Sequence, residues 1–131
     1  MADINVNGRI KIKTFQIQFL EKFPYLVPTL RTPDGKGIDN ELTIAGARGI
    51  VRDKFLEDKK YVPASESDLS INGNLTVAGF EKRFKESFGV ACEICYSKGG
   101  RLTKTNESQD EQTLTSLNKN MMENGAEQIK L

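Results

Sequence analysis

Phenylalanine recurs every fourth residue in FQIQFLEKF at 15–23, and again in FEKRFKESF at 80–88. That interval puts Phe15, Phe19 and Phe23 on one stripe of an α-helix, each advanced about 40° from the last, and does the same for Phe80, Phe84 and Phe88. In the second segment every intervening residue is polar or charged, so the apolar face is narrow. Pro24 ends the first helix, and Gly89 suits the left-handed position that closes the second. Both stripes read as core.

The repetition extends past the helices. INVNGRIKIKTF at 4–15 matches LSINGNLTVAGF at 69–80 at a constant offset of 65: Ile4 with Leu69, Val6 with Ile71, Asn7-Gly8 with Asn72-Gly73, Ile10 with Leu75 and Ile12 with Val77. Beyond the helices PYLVPTLRTPDGK aligns with GVACEICYSKGGR and brings Gly35 over Gly100. Agreement of apolar pattern, glycines and aromatics over this length reads as an internal duplication.

Within each unit, two alternating apolar runs flank Asn-Gly, a strong hairpin signal. A three-residue loop ending at Gly8 keeps Ile4 and Ile10 on one face and gives the glycine a left-handed bulge position. The phenylalanine helix follows, then a strand over 26–31 or 90–96. A tight turn comes next, at Pro33-Asp34-Gly35 or Lys98-Gly99-Gly100, with a short returning strand after it. A helix closes each unit: LTIAGAR from 42, and QTLTSLNKNMM from 112, the latter with Asp110 as N-cap and Gly125 as its stop. The expected fold is α+β, two pseudo-symmetric ββαββ repeats packed as one compact body. The first repeat spans 1–48 and the second, with its C-terminal helix and tail, 67–131. Residues 49–66 form a connector in which Val51, Phe55 and Leu56 predict a short helix and Pro63 a surface linker. A unit of about 60 residues buries only about 60% of its unfolded surface, which favours a shared core. Ile17 and Leu20 give the first helix a second apolar side suited to that sharing.

Hairpin, helix and returning strands occur in this order in β-grasp, or ubiquitin-like, modules. INVNGRIKIKTF with its following phenylalanines resembles the opening of small ubiquitin-like sulfur carriers over about thirty residues per copy. The carriers place their chemistry on a flexible Gly-Gly tail, whereas this chain ends EQIKL, so carrier activity is not implied. The tandem arrangement also resembles small bacterial proteins that repeat an Asn-Gly hairpin and a phenylalanine helix, a likeness that implies no particular activity.

Composition narrows the function. The 131 residues are 37% hydrophobic and 28% charged, as in ordinary globular proteins. No run approaches the ~20 apolar residues that span a bilayer, and MADINVNGR lacks the pattern of a signal peptide, so no membrane role and a cytoplasmic address are expected. A net charge of +1 is far from that of a strong nucleic-acid binder. Histidine is absent, which removes the commonest general base and metal ligand.

Cys92 and Cys95 make a C-x-x-C, but on a strand residues three apart face opposite ways. Two cysteines also fall short of the four ligands of a zinc site. They read as buried structural residues. RIKIK at 9–13 places Arg9, Lys11 and Lys13 on one face of a strand, either a solvated edge or a stripe for a phosphate backbone. No Walker loop, dinucleotide fingerprint or triad is present, and KGGR at 98–101 reads as a hairpin turn. No catalytic residue, cofactor or metal is expected. The reading is a non-enzymatic module that binds a protein partner through a strand edge or through Ile17 and Leu20. The alternative is a nucleic-acid-binding or regulatory protein using Arg9, Lys11 and Lys13.

Overall fold

The two phenylalanine segments fold as the helices their spacing predicts, and an apolar strand follows each. The computed structural model describes residues 4–32, 35–55 and 69–129, with the side chains of 52–55 and 107–108 outside that description. In chain order the elements are β1 (Ile4–Val6), α1 (Ile12–Lys22), β2 (Val27–Arg31), α2 (Ile44–Phe55), β3 (Leu69–Ile71), α3 (Val77–Phe88), β4 (Ala91–Lys98), β5 (Arg101–Lys104), α4 (Glu107–Asp110) and α5 (Leu114–Glu123). The class is α+β, with two antiparallel sheets, β1–β3 and β2–β4–β5.

Strands pair across the chain. In the small sheet Ile4 lies opposite Ile71 and Val6 opposite Leu69. In the larger one Val27 lies opposite Cys95 and Leu30 opposite Cys92. The helices meet in the same way. The Phe15 ring stacks on Phe84 at 5.5 Å with the planes 17° apart, and Phe19 meets Phe80 at 5.7 Å. All four rings are fully buried. One contiguous cluster takes in Ile4, Val6, Phe15, Phe19 and Leu30 together with Ile71, Phe80, Phe84, Ile94 and Leu117, so α1, α3 and both sheets share a core.

The hairpin expected at Asn-Gly is not formed. Asn7 Oδ1 accepts from the Arg9 N–H at 2.9 Å, and Asn72 Oδ1 from the Asn74 N–H at 2.9 Å. These Asx-type turns send the chain toward the helix instead of back along β1. The segment after each turn spends its backbone bonds on the start of a later helix. Ala45 N donates to the Gly8 carbonyl (2.8 Å), Ile44 N to Ile10 (3.0 Å), and Ile12 N to Leu42 (2.9 Å). Thr115 N donates to Gly73 (3.1 Å), Leu114 N to Leu75 (2.9 Å), and Val77 N to Gln112 (2.9 Å). Each expected ββαββ unit is therefore strand, helix, strand and closing helix, and only the later one adds a full returning strand, β5. The earlier one has a short stretch at 36–38, held by Thr32 N to the Lys36 carbonyl (2.9 Å) and Ile38 N to Leu30 (3.1 Å). Pro33 and Asp34 of its expected turn lie outside the described residues.

Element ends refine the reading further. Gly89 (φ 70°) and Gly125 (φ 81°) stop α3 and α5 as expected. The N-cap of α5 is Thr113, whose hydroxyl accepts from the Ser116 N–H at 3.1 Å, and not Asp110, which ends the one-turn helix α4. α2 runs unbroken to Phe55, so Val51, buried in the core, belongs to it and not to a separate connector helix. Leu56 and the linker with Pro63 lie outside the described residues.

Neither Gly8 nor Gly73 has a positive φ, so the left-handed bulge expected of Gly8 does not occur. At Gly73 the close approach of a helix start calls for glycine instead. A Cβ on Gly73 would overlap Thr115 Oγ1 and lie 3.7 Å from the Phe23 ring, whereas one on Gly8 would meet Ala45 Cβ at an ordinary 3.5 Å. Gly73→Ala should therefore destabilise the protein more than Gly8→Ala in urea denaturation, and Thr115→Ala should restore part of the loss. Equal effects of the two glycine substitutions would contradict the steric account.

Candidate functional site

The residues singled out for binding are placed differently from their expected strand. Arg9 sits in the turn after β1, Lys11 is the N-cap of α1, and Lys13 lies in the first helical turn. No basic strand face exists at 9–13, because the backbone of this segment bonds to residues 40–45. Lys11 and Lys13 instead reach Glu41, at 3.6 and 3.7 Å. Ile17 is 43% exposed and Leu20 half-buried on the solvent side of α1, so they do not join the shared core. They remain a small apolar surface.

Strand alternation separates the cysteines as expected. Cys92 faces the core with Ile94, while Cys95 lies on the other side of β4 with Glu93. Both are free, buried thiols. Burial pushes the Cys92 thiol well above its ordinary range, and the Glu81 carboxylate adds to the effect. Burial also raises Cys95, opposed by the Thr29 hydroxyl 3.5 Å from its sulfur. Neither microenvironment favours a thiolate. Among the described residues no group of three or more His, Cys, Asp or Glu side chains could hold a metal ion, and no helix is long and apolar enough to cross a membrane.

The larger sheet carries the remaining features. On its outer face Glu93 lies between Arg31 (Nε at 3.8 Å) and Lys104 (Nζ at 3.6 Å), a charged row across β2, β4 and β5. The two edges of this sheet differ. Along β2 the Pro28 carbonyl accepts from Gln16 Nε2 at 2.8 Å, Leu30 accepts from Ile38, and Gln16 Oε1 accepts from Asn40 at 3.3 Å, so the edge is closed. β5 is the other edge. Gly99 and Gly100, at φ 62° and 76°, form the two-residue mirror-image turn that pairs Lys98 with Arg101. That pairing points the ladder bonds of Arg101 and Thr103 at β4, and turns the N–H and C=O groups of Leu102 and Lys104 outward. Among the described residues nothing partners them. All four residues of β5 are exposed, Leu102 by 54%. Lys98, Arg101 and Lys104 place three cations within seven residues, with no acid among them. Glu127 steadies the hairpin tip: its N–H donates to the Ser97 carbonyl at 2.9 Å, and its carboxylate accepts from Gly100 N–H at 2.7 Å. The sequence reading identified the turn and the short returning strand, but edge position depends on strand order, which no local signal carries.

Where β5 ends, Glu81 of α3 takes over the ladder. Its Oε2 accepts from Ile94 N–H at 3.0 Å, beside Thr105, whose N–H donates to the Ile94 carbonyl at 3.1 Å and whose hydroxyl lies 3.3 Å from Asp110 Oδ1. Burial raises Glu81 from 4.5 to about 6. The Ile94 bond opposes that rise, Asp110 reinforces it, and Lys104 and Glu93 act in opposite senses with smaller effect.

Comparison with protein-family models, with curated proteins and with solved structures finds no match to this chain.

Two outcomes follow from these environments. A carboxyl whose pKa is raised by folding stabilises the folded state fully below its unfolded pKa, and loses that contribution as pH rises through the folded value. Wild-type stability should therefore fall between pH 4.5 and about 6. Glu81→Gln, which keeps an oxygen for Ile94, should flatten that slope and raise the urea midpoint at neutral pH. A variant slope as steep as the wild type's would sink this assignment. For the cysteines, modification by a disulfide reagent should track global unfolding across a urea series. Rapid reaction of either thiol in the native protein would show that burial does not control it.

Proposed function

We propose that the chain is a duplicated α+β unit closed on itself, working in the cytoplasm as a non-enzymatic protein-interaction module, and that its docking element is the open edge of β5. A two-fold relation between segments offset by 65 requires that if residue i pairs with j, then j − 65 pairs with i + 65. Ile4 with Ile71 and Val6 with Leu69 obey this, as do Val27 with Cys95 and Leu30 with Cys92, and the ring pairs Phe15–Phe84 and Phe19–Phe80. The non-enzymatic reading draws on the missing histidine and on two buried, protonated thiols.

The observation that carries the docking reading is the unpaired, exposed edge at Leu102 and Lys104. An extended peptide added there would become the fourth strand of the sheet, with backbone bonds supplying affinity and side chains supplying choice. Lys98, Arg101 and Lys104 select an acidic segment by charge. The same cations discourage edge-to-edge pairing of two copies, which is how edge strands are commonly guarded. The nucleic-acid alternative drew on a basic strand at Arg9, Lys11 and Lys13. With that segment a turn running into α1, and Lys11 and Lys13 directed to Glu41, the protein-partner reading has the better ground.

The test uses short peptides of alternating Glu and Val, and of alternating Lys and Val, with hydrogen exchange read at individual amides. The acidic peptide should protect the Leu102 and Lys104 N–H groups, and the basic one should not. Leu102→Pro removes an outward donor while leaving the β4 ladder in place, and it should abolish protection without unfolding the hairpin. Protection elsewhere, equal effects of the two peptides, or binding that survives Leu102→Pro would overturn the proposal.

A further inference from the structure

We infer that a groove remote from β5, where the end of α1 meets α5 and the turn after β3, binds a small oxyanion ligand, a carboxylate or phosphate ester with an apolar body. The groove has a volume of about 480 Å³, within the range of small-molecule sites. Phe23 and Met122 give it apolar surface, and the latter is half exposed. Its polar lining is Lys22, Asn72, Asn74, Thr115, Asn118 and Lys119, and no carboxylate lines it.

The amide groups are held in one orientation. Asn72 Oδ1 accepts from Asn74 N–H, and Asn118 Oδ1 accepts from Tyr25 N–H, both at 2.9 Å. With each oxygen committed to the backbone, each Nδ2 is left as a donor without a partner among the described residues. An aspartate would serve either backbone bond equally well, since the fold uses only the oxygen. The amides therefore add donors that the fold itself does not need. Those donors, the Thr115 hydroxyl and the Lys119 ammonium favour a ligand that only accepts hydrogen bonds and carries negative charge. The corresponding positions beside Asn7-Gly8, aligned through the helix-capping residues Thr43 and Thr113, are Ala45, Arg48 and Gly49. Asn7 makes the same turn bond as Asn72, so what is particular to this groove is the set Thr115, Asn118 and Lys119 beside that amide.

The experiment titrates the full chain with inorganic phosphate and, separately, with citrate at low ionic strength, following amide resonances by NMR. The side-chain amides of Asn72 and Asn118 and the backbone amide of Thr115 should shift saturably. Tighter binding of phosphate would identify a phosphate ligand, and tighter binding of citrate a carboxylate. Asn118→Asp keeps the Tyr25 bond but replaces the donor by a negative oxygen, and should weaken binding about tenfold or more. If that variant fails to fold, Lys119→Gln, at an exposed position, must weaken binding in its place. Shifts confined to other surfaces, no saturable shift with either anion, or undiminished binding in a folded variant would overturn the inference. Because the groove shares no residue with β5, its failure would leave the strand-edge proposal standing.

Discussion

The packing of α1 on α3 through Phe15, Phe19, Phe80 and Phe84 is the contact on which the other elements depend. β1 and β3 are three residues each and, among the described residues, form a sheet only with one another. Two-stranded ribbons of this size have little stability of their own in water. β2 pairs along its whole length with β4, and on its other edge meets only the short stretch at 36–38 among the described residues. Both strands of the earlier segment therefore pair with a strand of the later one, and the aromatic stack joins the helices that pack beside those ladders. Phenylalanine suits the task because each ring buries a large area with few rotatable bonds, and because ring pairs add about 0.5–1.5 kcal/mol beyond area alone.

That dependence explains what was legible in the sequence. The phenylalanine periodicity placed both helices, the left-handed glycines marked their ends, and the apolar runs after them became β2 and β4, because these signals act within one element. Asn-Gly failed as a hairpin signal because Asn can also bond its own backbone two residues on, and that local bond is common to both outcomes. The decision was made by Ile44 and Leu114, far along the chain, whose N–H groups take the carbonyls that a hairpin would have used. RIKIK reads as alternating for the same reason: five residues are too few to distinguish a strand from a turn running into a helix. With the strand went the basic face.

The cysteines show the opposite case, where local geometry sufficed. Strand alternation alone separates Cys92 from Cys95, and burial on both sides of β4 then raises both thiols above their ordinary range. Glu81 could not be found that way. Nothing in FEKRFKESF distinguishes it from Glu86, and its raised pKa comes from the ladder position of Ile94, which needs an acceptor where β5 turns away.

The two sides of the larger sheet differ in one respect that bears on how it could act. In the earlier segment the stretch at 36–38 and Gln16, which is almost wholly buried, seal the edge of β2. In the later segment the corresponding stretch, at the offset of 65, is the longer strand β5 on the outer side of β4, while Glu127 pins the hairpin tip from the other side of β4. The longer strand offers an exposed edge without altering the shared core, since the residues of β5 are all exposed and contribute nothing to it. The proposed duplication would bury equivalent surfaces of the two segments in pairs. A binding surface for a third party must then come from a position where the two units differ. β5, longer than its counterpart at 36–38, is such a position, and the donors of Thr115, Asn118 and Lys119 are another.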